Sequence, residues 1–83
     1  MEKLDFESIS KNMQVLYKIG KEVYATTVVE TSNGHPSIPT IRLVGGFIIR
    51  YSDPFRCIYA DNAINRTELL LSNETVFTNL NKE

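Results

Sequence analysis

The sequence predicts a mainly β domain: an N-terminal helix followed by five strongly bent antiparallel strands that curl into a small barrel. Three observations lead there. Apolar residues recur at helical spacing only over residues 5–19. From Lys21 onward β-branched and aromatic residues take over, broken at short intervals by turn chemistry. A glycine pair, Gly45-Gly46, interrupts the longest apolar run. With 83 residues the chain has room for one domain, spanning 1–83, with the barrel over about 21–80.

Each element has its own signal. Phe6, Ile9, Met13, Leu16 and Tyr17 recur at spacings of three and four, which predicts a helix over 5–19 with one apolar face. Asp5 is its expected N-cap and Gly20 its expected stop. So short a helix is marginal alone, so its stripe is expected to cover one end of the sheet. Residues 22–30 read as a first strand, ended by Ser32-Asn33-Gly34. Residues 35–40 hold two prolines and read as an extended loop. Ile41 to Tyr51 reads as one long strand, sharply bent or bulged at Gly45-Gly46. Ser52-Asp53-Pro54 turns into a third strand, Phe55 to Ala60, and Asp61-Asn62 begins the next turn. Two short strands, 67–71 and 75–80, close the pattern around a Ser72-Asn73-Glu74 connection. For 61–72 a helix competes with this reading, because Asp61 can cap one and the leucines favour either state. The expected strand core is Val23, Ile41, Leu43, Phe47, Ile49, Ile58, Leu69, Leu71 and Val76.

Composition narrows the class. Hydrophobic residues make up 42% and charged residues 23%, too apolar for a disordered chain. A single cysteine, Cys57, cannot close an internal disulfide. No apolar run approaches the ~18 residues of a membrane span. Met1-Glu2-Lys3-Leu4-Asp5 is not followed by the apolar core of a signal peptide, so a reducing, cytoplasmic setting is expected. The net charge of −1 lacks the basic surplus of a duplex-DNA binder. Between Lys21 and Lys82 every basic residue is an arginine: Arg42, Arg50, Arg56 and Arg66. Arginine suits forked and stacked recognition, although solvated strand edges would use the same residues.

Little in the chain suggests chemistry. His35 lies beside Pro36 with no second histidine, and a metal site needs three or four ligands. Cys57 has apolar neighbours and no histidine base nearby, so it reads as a small hydrophobe. Gly45-Gly46 lacks the following lysine and serine or threonine of a phosphate loop. Asn65-Arg66-Thr67 and Asn73-Glu74-Thr75 match the glycosylation sequon, which carries no weight without a secretory signal. No paired carboxylates suggest an acid–base dyad. The expectation is a protein that binds, with no cofactor, no metal and no catalytic residue.

The run from Gly46 through Asp53 and Phe55 to Asn62 resembles the first sequence motif of the Sm-like family, which includes the LSm proteins and bacterial Hfq. The run from Leu69 to Phe77 is similar to that family's second motif. A helix and then five strands, the second bent, is also the family's order. The resemblance implies single-stranded RNA binding. Phe55 would stack a base, Asp53 and Ser72 with Asn73 would read polar groups, and Arg56 and Arg66 would hold phosphates. Phe55 equally suits a place in the barrel core.

The resemblance has departures. The spacing from Gly46 to Asp53 is one residue longer than in the family, and Tyr51 stands two residues before the aspartate rather than one. The family's base-reading asparagine falls on Cys57, and its arginine–glycine pair falls on Ser72-Asn73. These departures keep a second function open, a non-enzymatic protein-interaction module that has lost RNA recognition. The family's mode of assembly implies a homo-oligomeric ring of about five to seven subunits. Strand 67–71 of one subunit would pair with strand 75–80 of the next, through Thr67, Leu69, Leu71, Val76, Phe77 and Thr78. A dimer through one strand edge is the alternative.

Overall fold

The computed structural model of the chain describes residues 2–31, 40–50, 53, 57–71 and 74–81. Ser10, Lys11 and Asn12 decide the fate of the N-terminal segment. Asn12 sits at φ +72°, a left-handed conformation that asparagine tolerates and that no α-helix interior contains. The Met13 N–H closes this turn on the Ser10 carbonyl at 3.2 Å. The helix expected over 5–19 is therefore replaced by a 3-10 turn at Phe6–Ser8 and a strand, β1, at Gln14–Ile19. Val15, Tyr17 and Ile19 are residues that strands favour. Gly20 does not stop a helix. At φ +58° it opens a two-residue turn that sets Ile19 opposite Glu22, a position that calls for glycine.

Strand β2 (Glu22–Thr31) agrees with the sequence reading and organises the fold. One edge pairs antiparallel with β1, from Glu22↔Ile19 to Thr27↔Gln14. The other edge is shared by two strands. β3 (Thr40–Leu43) pairs antiparallel with the second half of β2, and Val29 is an extra residue there, a bulge between Val28 and Glu30. The chain then reverses into β4 (Ile48–Arg50), with the Leu43 N–H donating to the Phe47 carbonyl at 2.9 Å. The single bent strand expected over 41–51 is thus a hairpin. Gly45 (φ +105°) and Gly46 (φ +87°) form its turn, because a side chain disfavours two consecutive positive φ angles. β5 (Ile58–Ala60) returns to the free edge of β1. It is the C-terminal part of the strand expected at 55–60, whose first residues lie outside the described ones.

The stretch expected as strand 67–71 is helical up to Leu69. Helix α1 spans Ala63–Leu69, and the Asn62 side chain caps it by accepting the Asn65 N–H at 2.8 Å. The competing helix reading of this stretch prevails, with Asn62 and not Asp61 as its cap. β6 (Val76–Asn79) forms where a strand was expected, yet it runs parallel to the first half of β2, Glu22↔Val76 to Ala25↔Asn79. The strand order is β4-β3-β2-β1-β5, with β6 beside β2. Among the described residues nothing pairs β4 with β5, so the sheet stays open. The five-stranded barrel is corrected to an open six-stranded, mainly antiparallel sheet with one short helix.

Both faces of this sheet are covered near β1. Phe6 and Ile9 of the N-terminal segment bury against Val15, Val28, Ile41, Leu43, Ile49 and Ile58 on one face. On the other face Leu69 of α1 covers Leu16, Val23, Ala25 and Tyr59, with Phe77 of β6 beside them. The apolar positions of the N-terminal segment are buried as expected, on different terms. A helix would put Ile9 and Leu16 on one face, whereas the strand sends Leu16 to the side opposite Val15. Two expected core residues are not core: Leu71 is 76% exposed and Val76 56% exposed. Leu71 lies beyond the helix end, and Val76 sits on the outermost strand.

Candidate functional site

Of the residues expected to read RNA, Asp53 and Arg66 are among the described ones. Phe55, Arg56, Ser72 and Asn73 lie outside the described residues. Asp53 is half-buried, and its N–H donates to the Arg50 carbonyl at 2.9 Å. Tyr17 feels its carboxylate: burial raises the phenol pKa, and the Asp53 and Cys57 charges raise it further. Arg66 is engaged elsewhere. Its Nε and Nη2 donate to Oδ1 and Oδ2 of Asp61 at 2.6 and 2.8 Å, and its guanidinium lies 5.4 Å from the centre of the Phe77 ring. The hydrogen bonds to Asp61 hold its pKa above the ordinary arginine value. With the Asp61 side chain only 6% exposed, this fork ties α1 to the end of β5 and is a structural clasp.

The residues expected at a subunit interface are also distributed differently. Thr67 and Leu69 belong to α1, Thr67 Oγ1 donating to the Ala63 carbonyl and Leu69 being buried. The strand expected over 67–71 is corrected here to the last turn of α1, with Leu70 and Leu71 beyond the helix end. Leu71, Val76 and Thr78 are exposed, and Phe77 is half-buried beneath Arg66.

One surface stands out instead, the outer side of the β3–β4 hairpin. Strand alternation there is clean. Ile41, Leu43 and Ile49 point into the core, so Thr40, Arg42, Ile48 and Arg50 point out. The register sets Arg42 against Ile48 and Thr40 against Arg50. Around the hairpin turn, Val29, Arg42, Val44, Gly45, Phe47 and Ile48 line an open groove of about 340 Å³. Ile48 is 61% exposed, Val44 39% and Val29 37%. Phe47 forms an ordered wall, its ring 5.3 Å from that of Tyr17 and 4.8 Å from that of Tyr24. Arg42 approaches Glu30 at 3.8 Å, but both side chains are more than half exposed, and such a pair contributes ~0–1 kcal/mol. The Arg42 fork therefore remains available to a ligand.

The groove carries one cation and no acid–base pair, and its volume lies near the lower end of small-molecule pockets. Among the described residues no three His, Cys, Asp or Glu side chains gather to hold a metal. Nor is any helix there long and apolar enough to cross a membrane. What the arrangement offers is apolar contact flanked by arginine. Sequence reasoning noted Arg42 and Arg50 among four arginines suited either to recognition or to solvated strand edges, named Arg56 and Arg66 as the phosphate contacts, and did not single out Ile48. The signal was present: in the run Phe47-Ile48-Ile49 a strand must turn one of the three toward solvent. No family model, no curated protein and no solved structure matches the chain.

Proposed function

We propose that the chain is a non-enzymatic interaction module of the cytoplasm that binds another protein through the outer face of its β3–β4 hairpin. The partner segment is apolar with acidic flanks. One observation carries this reading: Val29, Val44 and Ile48 are exposed together in one groove with Arg42, and Arg50 follows on the same face. Protein interfaces favour this mixture, an apolar centre with arginine beside it. Arg42 and Arg50 lie diagonally across the hairpin, so their charges favour an anionic neighbour.

Single-stranded RNA is the second reading, and the same two arginines support it, since phosphates would satisfy them equally. Against it stand the missing stacking ring among the outward residues of the hairpin and the occupied fork of Arg66.

Selecting random peptides on the full chain, with counter-selection on the Ile48→Asp variant, tests the proposal. Enriched peptides should combine leucine, isoleucine or phenylalanine with aspartate or glutamate. Binding to short uridine- or adenine-rich RNA, steeply weakened by salt and lost in an Arg42→Ala, Arg50→Ala double variant, would replace the protein-partner reading with the RNA one. Selection that enriches nothing over the counter-selected variant would overturn it.

A further inference from the structure

Among the described residues the sheet has three outer edges, and the chain treats them differently. On β5 the outward carbonyls are taken: Ile58 accepts the Leu4 N–H at 2.7 Å and Ala60 accepts the Asn65 side-chain amide at 2.9 Å. On β4 the Arg50 carbonyl accepts the Asp53 N–H, and Arg50 itself puts a charge on the edge. β6 has neither protection. From Thr75 to Asn81 there is no charge, no proline and no glycine, the composition that natural edge strands avoid. The Val76 and Leu80 N–H groups donate to Lys21 and Ala25 of β2, at 2.9 and 2.7 Å. By the period of two, the backbone groups of Phe77 and Asn79 face away from β2. Among the described residues no hydrogen bond reaches them.

We propose that β6 pairs antiparallel with β6 of a second copy of this chain, forming a two-fold dimer centred on Thr78. The charge pattern selects this occupant. A two-fold pairing sets a strand against itself, so β4 would bring Arg50 toward Arg50 of the partner subunit, whereas β6 is neutral throughout. The outward groups fix the register. Phe77 exchanges backbone hydrogen bonds with Asn79 of the partner subunit, and Asn79 with Phe77 of the partner subunit. Thr78 then lies opposite its own copy, a favourable cross-strand pair. On the same face Val76, 56% exposed in the single chain, meets Leu80 of the partner subunit. This contact joins the sheets of two molecules and uses none of the hairpin residues, so it stands apart from what the groove binds. A strand this short buries less than the ~1,200 Å² of a standard stable interface, so the dimer is weak and depends on concentration.

Sedimentation equilibrium of the full chain from about 10 µM to 1 mM tests it. The mass should rise from the monomer's 9.5 kDa toward twice that value. Thr78→Lys, which opposes two like charges at the axis, should hold the mass at the monomer with an unchanged circular dichroism spectrum. As a second readout, Thr78→Cys in a Cys57→Ala background should give a disulfide-linked dimer on mild oxidation, because facing residues at a non-hydrogen-bonded site lie within bridging distance. A monomer at every concentration, an assembly larger than a dimer, or a dimer untouched by Thr78→Lys would each overturn the proposal.

Discussion

The β1–β2 and β3–β4 hairpins are built from the same antiparallel pairing but differ in their surroundings. β1 and the first half of β2 are clad on both faces, by the Phe6–Ile9 segment on one side and by α1 on the other. Among the described residues the β3–β4 hairpin is clad on one face only, and Arg42, Ile48 and Arg50 are exposed on the other. The difference separates two tasks. Val15, Leu16, Val23 and Ala25 of the first hairpin can hardly change without loss of packing. The outer face of the second takes no part in the core, and it is the face proposed above to bind a partner.

Truncating isoleucines within one hairpin separates its covered face from its open one with the largest effect. Ile49 and Ile48 are neighbours, 0% and 61% exposed. Ile49→Ala should destabilise the chain by ~2–5 kcal/mol, and Ile58→Ala similarly, read as a loss in denaturation midpoint. Ile48→Ala should stay within about 0.5 kcal/mol of the natural chain. Similar losses at 48 and 49 would mean that the hairpin is covered on both sides.

The next largest effect concerns the turn. A Cβ on Gly45 would lie 2.7 Å from Cδ1 of Leu80, at a φ of +105°. Gly45→Ala should therefore cost at least ~1–2 kcal/mol from backbone strain, whereas Gly46→Ala meets no neighbour and bears the strain alone. Asp61→Ala removes both acceptors of the Arg66 fork. It should cost ~1–3 kcal/mol, with amide exchange accelerated first in α1.

The smallest effect is on pH. Burial raises the Tyr17 phenol above its ordinary 10.0, with Asp53 and Cys57 adding to it, and burial raises Tyr59 as well. The folded chain thus holds these protons more tightly than the unfolded chain does. Stability is unaffected below pH 10 and falls as pH rises from 10 through the raised values, because the unfolded state ionises first. Thermal melts between pH 9 and about 11 should show the fall, and Tyr17→Phe should reduce it.

Much of the interior was legible in the sequence, and its geometry was less so. Phe6, Ile9, Leu16, Val23, Ile41, Leu43, Ile49 and Ile58 are buried, because apolar identity alone predicts burial well. The type of the first element was hidden by the cladding of β1. Val15, Leu16 and Tyr17 are consecutive and all turned toward protein, and a strand covered on both faces loses its alternation, leaving a spacing that imitates a helix. Gly20 serves a helix stop and a hairpin turn equally well, so it could not decide. The parallel course of β6 depends on α1 carrying the chain across the sheet, which no local pattern encodes. Of the hairpin groove, Arg42 was visible as one of four arginines and Ile48 was not, since only the register tells which of Phe47, Ile48 and Ile49 faces out.

If Ile48 serves recognition and not the fold, Ile48→Asp separates the two when stability and binding are measured on the same sample. The denaturation midpoint should stay at that of the natural chain, while affinity for an acidic, apolar peptide selected on the natural chain falls at least about tenfold, the loss of one well-placed apolar contact. A midpoint lowered as far as in Ile49→Ala, or a peptide bound with undiminished affinity, would contradict it.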